Sequence, residues 1–193
     1  MTFQKTISQE SVSTMPKEVF SGQIVVVNTK EELKKSLLYL STFPVIGFDT
    51  ETKPSFSKNL KNKMSLMQLS SDNTCFIIQL NKFRMFPKIL ETFLKNKNIK
   101  KIGLSLRDDF NGLHSLTKIS PDNFIDLQKY VYQFGIEELS LRKIYAILFG
   151  KKISKSKQLS NWNAEFLSRS QMQYAALDAW ACLQIYQFLE RLK

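Results

Sequence analysis

Cysteine and histidine are nearly absent from this chain, with two cysteines, Cys75 and Cys182, and one histidine, His114, in 193 residues. Two thiols are too few for a disulfide framework, and they read as reduced, packed side chains of an intracellular protein. His114 has no second imidazole with which to share a metal, so it reads as a structural or surface residue. Glycine and proline are scarce, at 6 and 5 residues, which excludes collagen-like and low-complexity chains. No apolar run approaches the roughly 18 residues of a membrane span. The first 17 residues stay largely polar and hold no signal-peptide core. The expectation is a soluble intracellular protein, cytoplasmic and without a membrane partner. Acidic residues are also in deficit: 17 against 28 basic ones, a net charge of +11 and a pI near 9.6. Such an excess favours a polyanionic partner, of which nucleic acid is the commonest inside cells.

What is present is enough for one domain. Hydrophobic residues make up 43% of the chain, and a protein of this size buries about 70% of its unfolded surface. Residues 1–22 lack clear periodicity and read as an N-terminal arm, leaving 23–193 as a single domain. The β-branched run Gln23–Asn28 predicts a strand. Thr29 with Glu32 is a capping box that opens a helix through Leu40. Val45–Thr50 predicts a second strand. Ser65–Leu69 and Thr74–Leu80 predict two more, joined by the turn residues Ser70–Asn73. A helix over Pro87–Phe93 precedes a short strand at Lys100–Leu104. Helical spacing follows over Arg107–Leu116, then a short strand at Phe124–Asp126. A helix over Ser140–Leu148 can end at Gly150, and Ser168 with Gln171 caps a last long helix. This order gives an α/β fold with a mixed central β-sheet flanked by α-helices.

Lysines cluster in three places: Lys53, Lys58, Lys61 and Lys63; Lys95, Lys97, Lys100 and Lys101; and Lys151, Lys152, Lys155 and Lys157, the last followed by Ser160-Asn161-Trp162. Lysines beside Ser, Asn and Trp suit a phosphate backbone and a stacked base, although each cluster alone also fits a solvated loop.

The acids lie at three sites. Asp49 and Glu51 project from one face of a strand, about 7 Å apart along the backbone, where two carboxylates repel each other unless a cation lies between them. Asp108 and Asp109 open a helix, a position that the helix dipole alone can explain. Tyr174 and Asp178 stand one turn apart, and Asp178 sits among apolar residues, where a carboxylate needs a partner, either a salt bridge or a metal. Hard oxygen donors from separate segments, without a His or Cys cluster, point to Mg²⁺ or Mn²⁺.

The set Asp49-x-Glu51, Asp109 and Tyr174-x-x-x-Asp178 resembles the three exonuclease motifs of the DEDD superfamily in its tyrosine subtype. The stretches Gly47-Phe48-Asp49-Thr50-Glu51, Leu66-Met67-Gln68-Leu69, Lys101-Ile102-Gly103, Ser160-Asn161-Trp162 and Tyr174–Ala179 are similar to ribonuclease D and Werner-syndrome-type exonuclease domains. The resemblance runs from Gln23 to Leu192. By the family's spacing from Gly103 and to Leu113, Asp109 is the second-motif acid and Asp108 its neighbour. Gln173 stands where the histidine subtype would need His.

The resemblance implies a ribonuclease H-like fold and a metal-dependent 3′–5′ exonuclease that releases nucleoside 5′-monophosphates. It implies two divalent ions, Mg²⁺ or Mn²⁺, the first held by Asp49, Glu51 and Asp178, with Asp49 bridging to the second. Asp109 would act through water or complete the network, and Tyr174 would orient the attacking water. Lys155 and Trp162 are candidate substrate contacts, Leu66 and Met67 candidate wedges against the terminal base, and Gln68 a further candidate. The substrate expected is nucleic acid with a 3′ end, DNA ahead of RNA. An exoribonuclease trimming structured RNA and a non-catalytic nucleic-acid-binding module stay open as alternatives.

Overall fold

The β-branched and apolar runs form a six-stranded sheet. In the computed structural model, which describes residues 2–55 and 62–193, β1 (Gln23–Val27), β2 (Val45–Thr52), β3 (Met64–Ser70), β4 (Thr74–Gln79), β5 (Lys100–Gly103) and β6 (Phe124–Asp126) lie in the order β1-β4-β3-β2-β5-β6. β3 alone runs against the others. It pairs antiparallel with β2 and β4, whereas β1 with β4, β2 with β5 and β5 with β6 are parallel. Inner strands covered on both faces need side chains that tolerate burial on both, and every residue of β3 and β4 is buried.

Alternation along β2 assigns its side chains to two cores. Phe48 points to one face with Met67, Leu69 and Ile78. That face is covered by α2 (Lys30–Leu40), α3 (Lys88–Leu94) and α4 (Leu106–His114). On the other face Leu66, Ile77 and Ile102 pack against α6 (Leu141–Phe149) and α7 (Arg169–Glu190). The predicted capping boxes form at Thr29–Glu32 and Ser168–Gln171. α7 is apolar around most of its circumference because it lies across the middle of the sheet. Gly47 permits this approach: a Cβ there would stand 1.9 Å from the Ala179 carbonyl oxygen.

Two short helices escape the sequence reading, α1 (Gln9–Thr14) in the N-terminal segment and α5 (Leu127–Tyr130) after β6. Neither is long enough to show a period. Ser8 caps α1, whose Val12 is fully buried beside Ala146 of α6. The strand predicted to reach Leu104 ends at Gly103, because Ser105 turns the chain with φ 60°. Asp126 secures that turn, its carboxylate accepting from the Ser105 and Leu106 N–H groups at 3.0 and 3.1 Å.

Candidate active site

The site is built where β2 meets α7. Asp49 and Glu51 stand on the α7 side of β2, at its carboxyl end, where the pairing with β3 slips between Glu51 and Thr52. Such a bulge bends a strand and re-aims its side chains. Asp178 comes down from α7, four residues from Tyr174 and next to Ala179, the residue whose carbonyl sits over Gly47. One carboxylate oxygen from each of Asp49, Glu51 and Asp178 lies within 4.8 Å of the others.

Three carboxylates this close cannot all be charged without compensation. Burial first, then the charges of Asp178, Glu51 and Asp109, push the Asp49 carboxyl well above its ordinary range. Burial and the charges of Asp178 and Asp109 raise Glu51. Burial raises Asp178 as well, an effect that its hydrogen bond with Tyr174 partly offsets. Asp178 is 9% exposed, and its Oδ1 has no hydrogen-bond partner among the described residues. A buried, orphaned carboxylate oxygen facing two more carboxylates is a donor set for a hard divalent cation.

Asp109 reaches the cluster from the opposite side of β2. Strand alternation aims Thr50 away from Asp49 and Glu51, towards α4, and its hydroxyl donates to Asp109 Oδ1. Burial raises the Asp109 carboxyl, and the Thr50 hydrogen bond works against that rise. Asp109 is not among the three residues whose oxygens converge, but its charge acts on both Asp49 and Glu51. Asp108 is exposed and lines a separate hollow with Arg107 and Lys129.

Several expected substrate contacts are corrected. Trp162 is fully buried and presents no face to a base. Its ring lies 5.9 Å from that of Tyr174 and forms part of the wall behind the phenol. Leu66 and Met67 are likewise fully buried, one in each core, because an inner strand has no exposed side from which to wedge. Gln68, opposite Asp49 in the β2–β3 register, is buried with both amide atoms unpartnered among the described residues. Lys155 is exposed and lines a cavity of about 330 Å³ together with Leu104, Arg142, Gln158, Tyr174 and Asp178. Arg142 has no motif to announce it and was missed in the sequence.

The lysine clusters divide. Lys58 and Lys61 lie outside the described residues, while Lys53 and Lys63 are exposed near the carboxyl end of β2. The second cluster is at the other end of the sheet, where Lys100 pairs with Val45. Lys97 faces Asp122 at 3.7 Å, Lys100 donates to the Tyr186 hydroxyl at 2.5 Å, and the buried Lys101 donates to the Asn96 carbonyl at 2.8 Å. These three serve the fold and do not form a phosphate surface. In the third cluster Lys151 pairs with Glu18 at 3.0 Å, Lys152 donates to the Ser13 carbonyl, and of the remaining two Lys155 lines the cavity of Tyr174 and Asp178 whereas Lys157 does not. His114 shares a hydrogen bond with the Ile119 carbonyl at 3.1 Å, a structural contact away from the acids.

Comparison with known proteins bears on the family and the fold. A family model described as 3′–5′ exonuclease matches residues 24–192. A mouse protein named bifunctional 3′–5′ exonuclease/ATP-dependent helicase WRN is 30% identical over 99% of this chain. This chain spans 14% of that relative's length. Among solved structures, the exonuclease domain of Nibbler from Aedes aegypti superimposes with a TM-score of 0.79 at 25% identity, covering 90% of this chain and 91% of that one. Trypanosoma brucei RNase D, solved with RNA, shares the fold, with a TM-score of 0.78 at 21% identity over 88% of this chain and 63% of that one. With a ribonuclease H-like sheet, three converging carboxylates, a fourth reaching in from α4 and a tyrosine one turn before the last acid, the chain belongs to the 3′–5′ exonuclease family, in its DEDD tyrosine branch.

Proposed function

We propose that this protein removes nucleotides singly from the 3′ end of DNA, with two divalent ions, Mg²⁺ or Mn²⁺, at the carboxylate cluster. The observation that carries this reading is the approach of Asp49, Glu51 and Asp178 to within 4.8 Å, with Tyr174 interacting with the last of them. When bound, such ions lower the pKa of a water and neutralise charge on a leaving oxygen. Asp49, Glu51 and Asp178 would hold the ions through their carboxylate oxygens, and Asp109, whose charge acts on Asp49 and Glu51, would complete the acidic network. Tyr174 donates or accepts one hydrogen bond to orient the attacking water, since burial and then the charges of Asp178 and Glu51 push its phenol above the ordinary value and keep it from serving as a base at neutral pH. The water oxygen bonds to phosphorus, the bond from phosphorus to the 3′ oxygen breaks, and that oxygen takes a proton. The products are a nucleoside 5′-monophosphate and a strand one unit shorter.

The choice of DNA rests on Ser160-Asn161-Trp162, an element similar to Werner-type domains, and on the identity with the mouse exonuclease–helicase. The likeness to an RNase D solved with RNA favours exoribonuclease activity as the second reading. Digestion of matched 5′-labelled DNA and RNA oligomers, with and without Mn²⁺, separates them. The expected result is a metal-dependent ladder on DNA. A ladder on RNA alone selects the second reading, and binding without cleavage of either overturns both.

A further inference from the structure

Arg142 is a half-buried cation beside the site with no acid paired to it among the described residues. It is the second residue of α6 and lines the cavity of about 330 Å³ shared with Tyr174 and Asp178. A guanidinium only donates hydrogen bonds. With the Gln9 amide oxygen turned towards it, that oxygen accepts from Nη2 at 2.8 Å and from Nη1 at 3.0 Å. Nε is buried and has no partner among the described residues. No described carboxylate lies within 4.0 Å of the guanidinium. The nearest acid in sequence, Glu138, is taken by Lys143 and by the Ile7 N–H, both at 2.9 Å. Across the cavity, Lys155 also makes no ion pair among the described residues.

A half-buried guanidinium held by a neutral amide, with Nε buried and unpartnered among the described residues, keeps its charge available for an anion that a ligand brings. The planar guanidinium fork matches the oxygens of a phosphate. The mount is firm: Val12 of α1 is buried against α6, Lys5 pairs with Glu137 at 2.9 Å, and the Lys5 carbonyl accepts from the Glu137 N–H at 2.8 Å.

We infer that Arg142 holds the phosphoryl group of the nucleotide at the 3′ end, as a diester before cleavage and as the 5′-phosphate of the product, and that Gln9 of the N-terminal helix is the positioning residue that aims it. This rests on the exonuclease reading above. The test compares wild type, R142Q, R142K and Q9A for KM and kcat on a labelled DNA oligomer with Mn²⁺. It also compares inhibition by a deoxynucleoside 5′-monophosphate with inhibition by the unphosphorylated nucleoside. R142Q should raise KM and the monophosphate inhibition constant about tenfold with kcat changed less than about threefold, as expected for a lost charge-assisted contact. R142K should fall between, because it keeps the charge without the fork. Q9A, on an exposed face, should raise both constants about two- to fivefold, whereas a merely structural contact would move only the melting temperature. Cleavage by all variants with KM and inhibition constants within twofold of wild type would overturn the inference while leaving the exonuclease reading intact. Wild-type protein that cleaves neither DNA nor RNA and does not bind the monophosphate would remove both.

Discussion

Asp178 illustrates how the chemistry of single residues opposes the stability of the fold. Its carboxylate is buried among other acids with one oxygen unpartnered, so the metal-free protein pays for it in repulsion and lost hydration. Asp178→Asn should raise metal-free stability by about 1 kcal/mol, read by urea unfolding in chelator, and abolish cleavage. A variant no more stable than wild type would mean that the carboxylate already has compensation within the chain. Tyr174→Phe keeps the ring against Trp162 and removes only the hydroxyl. It should slow cleavage on the order of 100-fold while Mn²⁺ still raises the melting temperature. Asp109→Asn should impair turnover far more than Asp108→Asn, since Asp109 accepts from Thr50 beside the cluster and Asp108 faces solvent. Equal rates for the two asparagine variants in the oligomer assay would contradict this assignment. Among these residues the spacing in the sequence was informative because strand and helix periods place Asp49 with Glu51 and Tyr174 with Asp178. Trp162, Leu66 and Met67 were misread because local sequence does not tell a residue that faces a ligand from one that faces the core.

At the scale of elements, the decisive contact is between β2 and α7. Gly47 lets the Ala179 carbonyl approach so closely that no side chain fits between them, and this sets the separation of Asp49 from Asp178. Gly47→Ala should destabilise the protein by about 3 kcal/mol through overpacking, measured by thermal unfolding, and should weaken Mn²⁺ binding by moving α7 off the strand. Unchanged metal affinity would show that the helix position is set elsewhere. A glycine in a strand was visible in the sequence, but its partner 132 residues away (47 to 179) was not. Asp126 was likewise overlooked, because it acts through a long-range cap that fastens the start of α4 and so the position of Asp109.

For the whole molecule, the +11 charge is distributed by the fold into separate roles. Lys101 is buried in the sheet, donates to the Asn96 carbonyl and lies 5.0 Å from the Phe124 ring centroid. Burial lowers its pKa from 10.5 to about 8. Between those values the unfolded chain holds the extra proton, so stability rises with pH across that window and the gain is absent below about pH 8. Lys101→Met lacks this titration. Chemical unfolding from pH 7 to pH 10.5 should therefore show wild type gaining stability relative to the variant, and parallel curves would refute it. Lys155, by contrast, remains at the cavity of Tyr174 and Asp178, although composition counts the two lysines alike.

The sequence by itself determined the order of the six strands and of the longer helices, the capping boxes, the polyanionic partner class and the paired residues Asp49 with Glu51 and Tyr174 with Asp178, because periodicity and capping depend on near neighbours and net charge on composition alone. Only the tertiary structure decided which lysines face the site and that Trp162 is a wall. It alone brought Arg142 to the cavity under the grip of Gln9. Burial and pairing are relations between segments far apart in the chain, and they exist only once α7 has settled across β2.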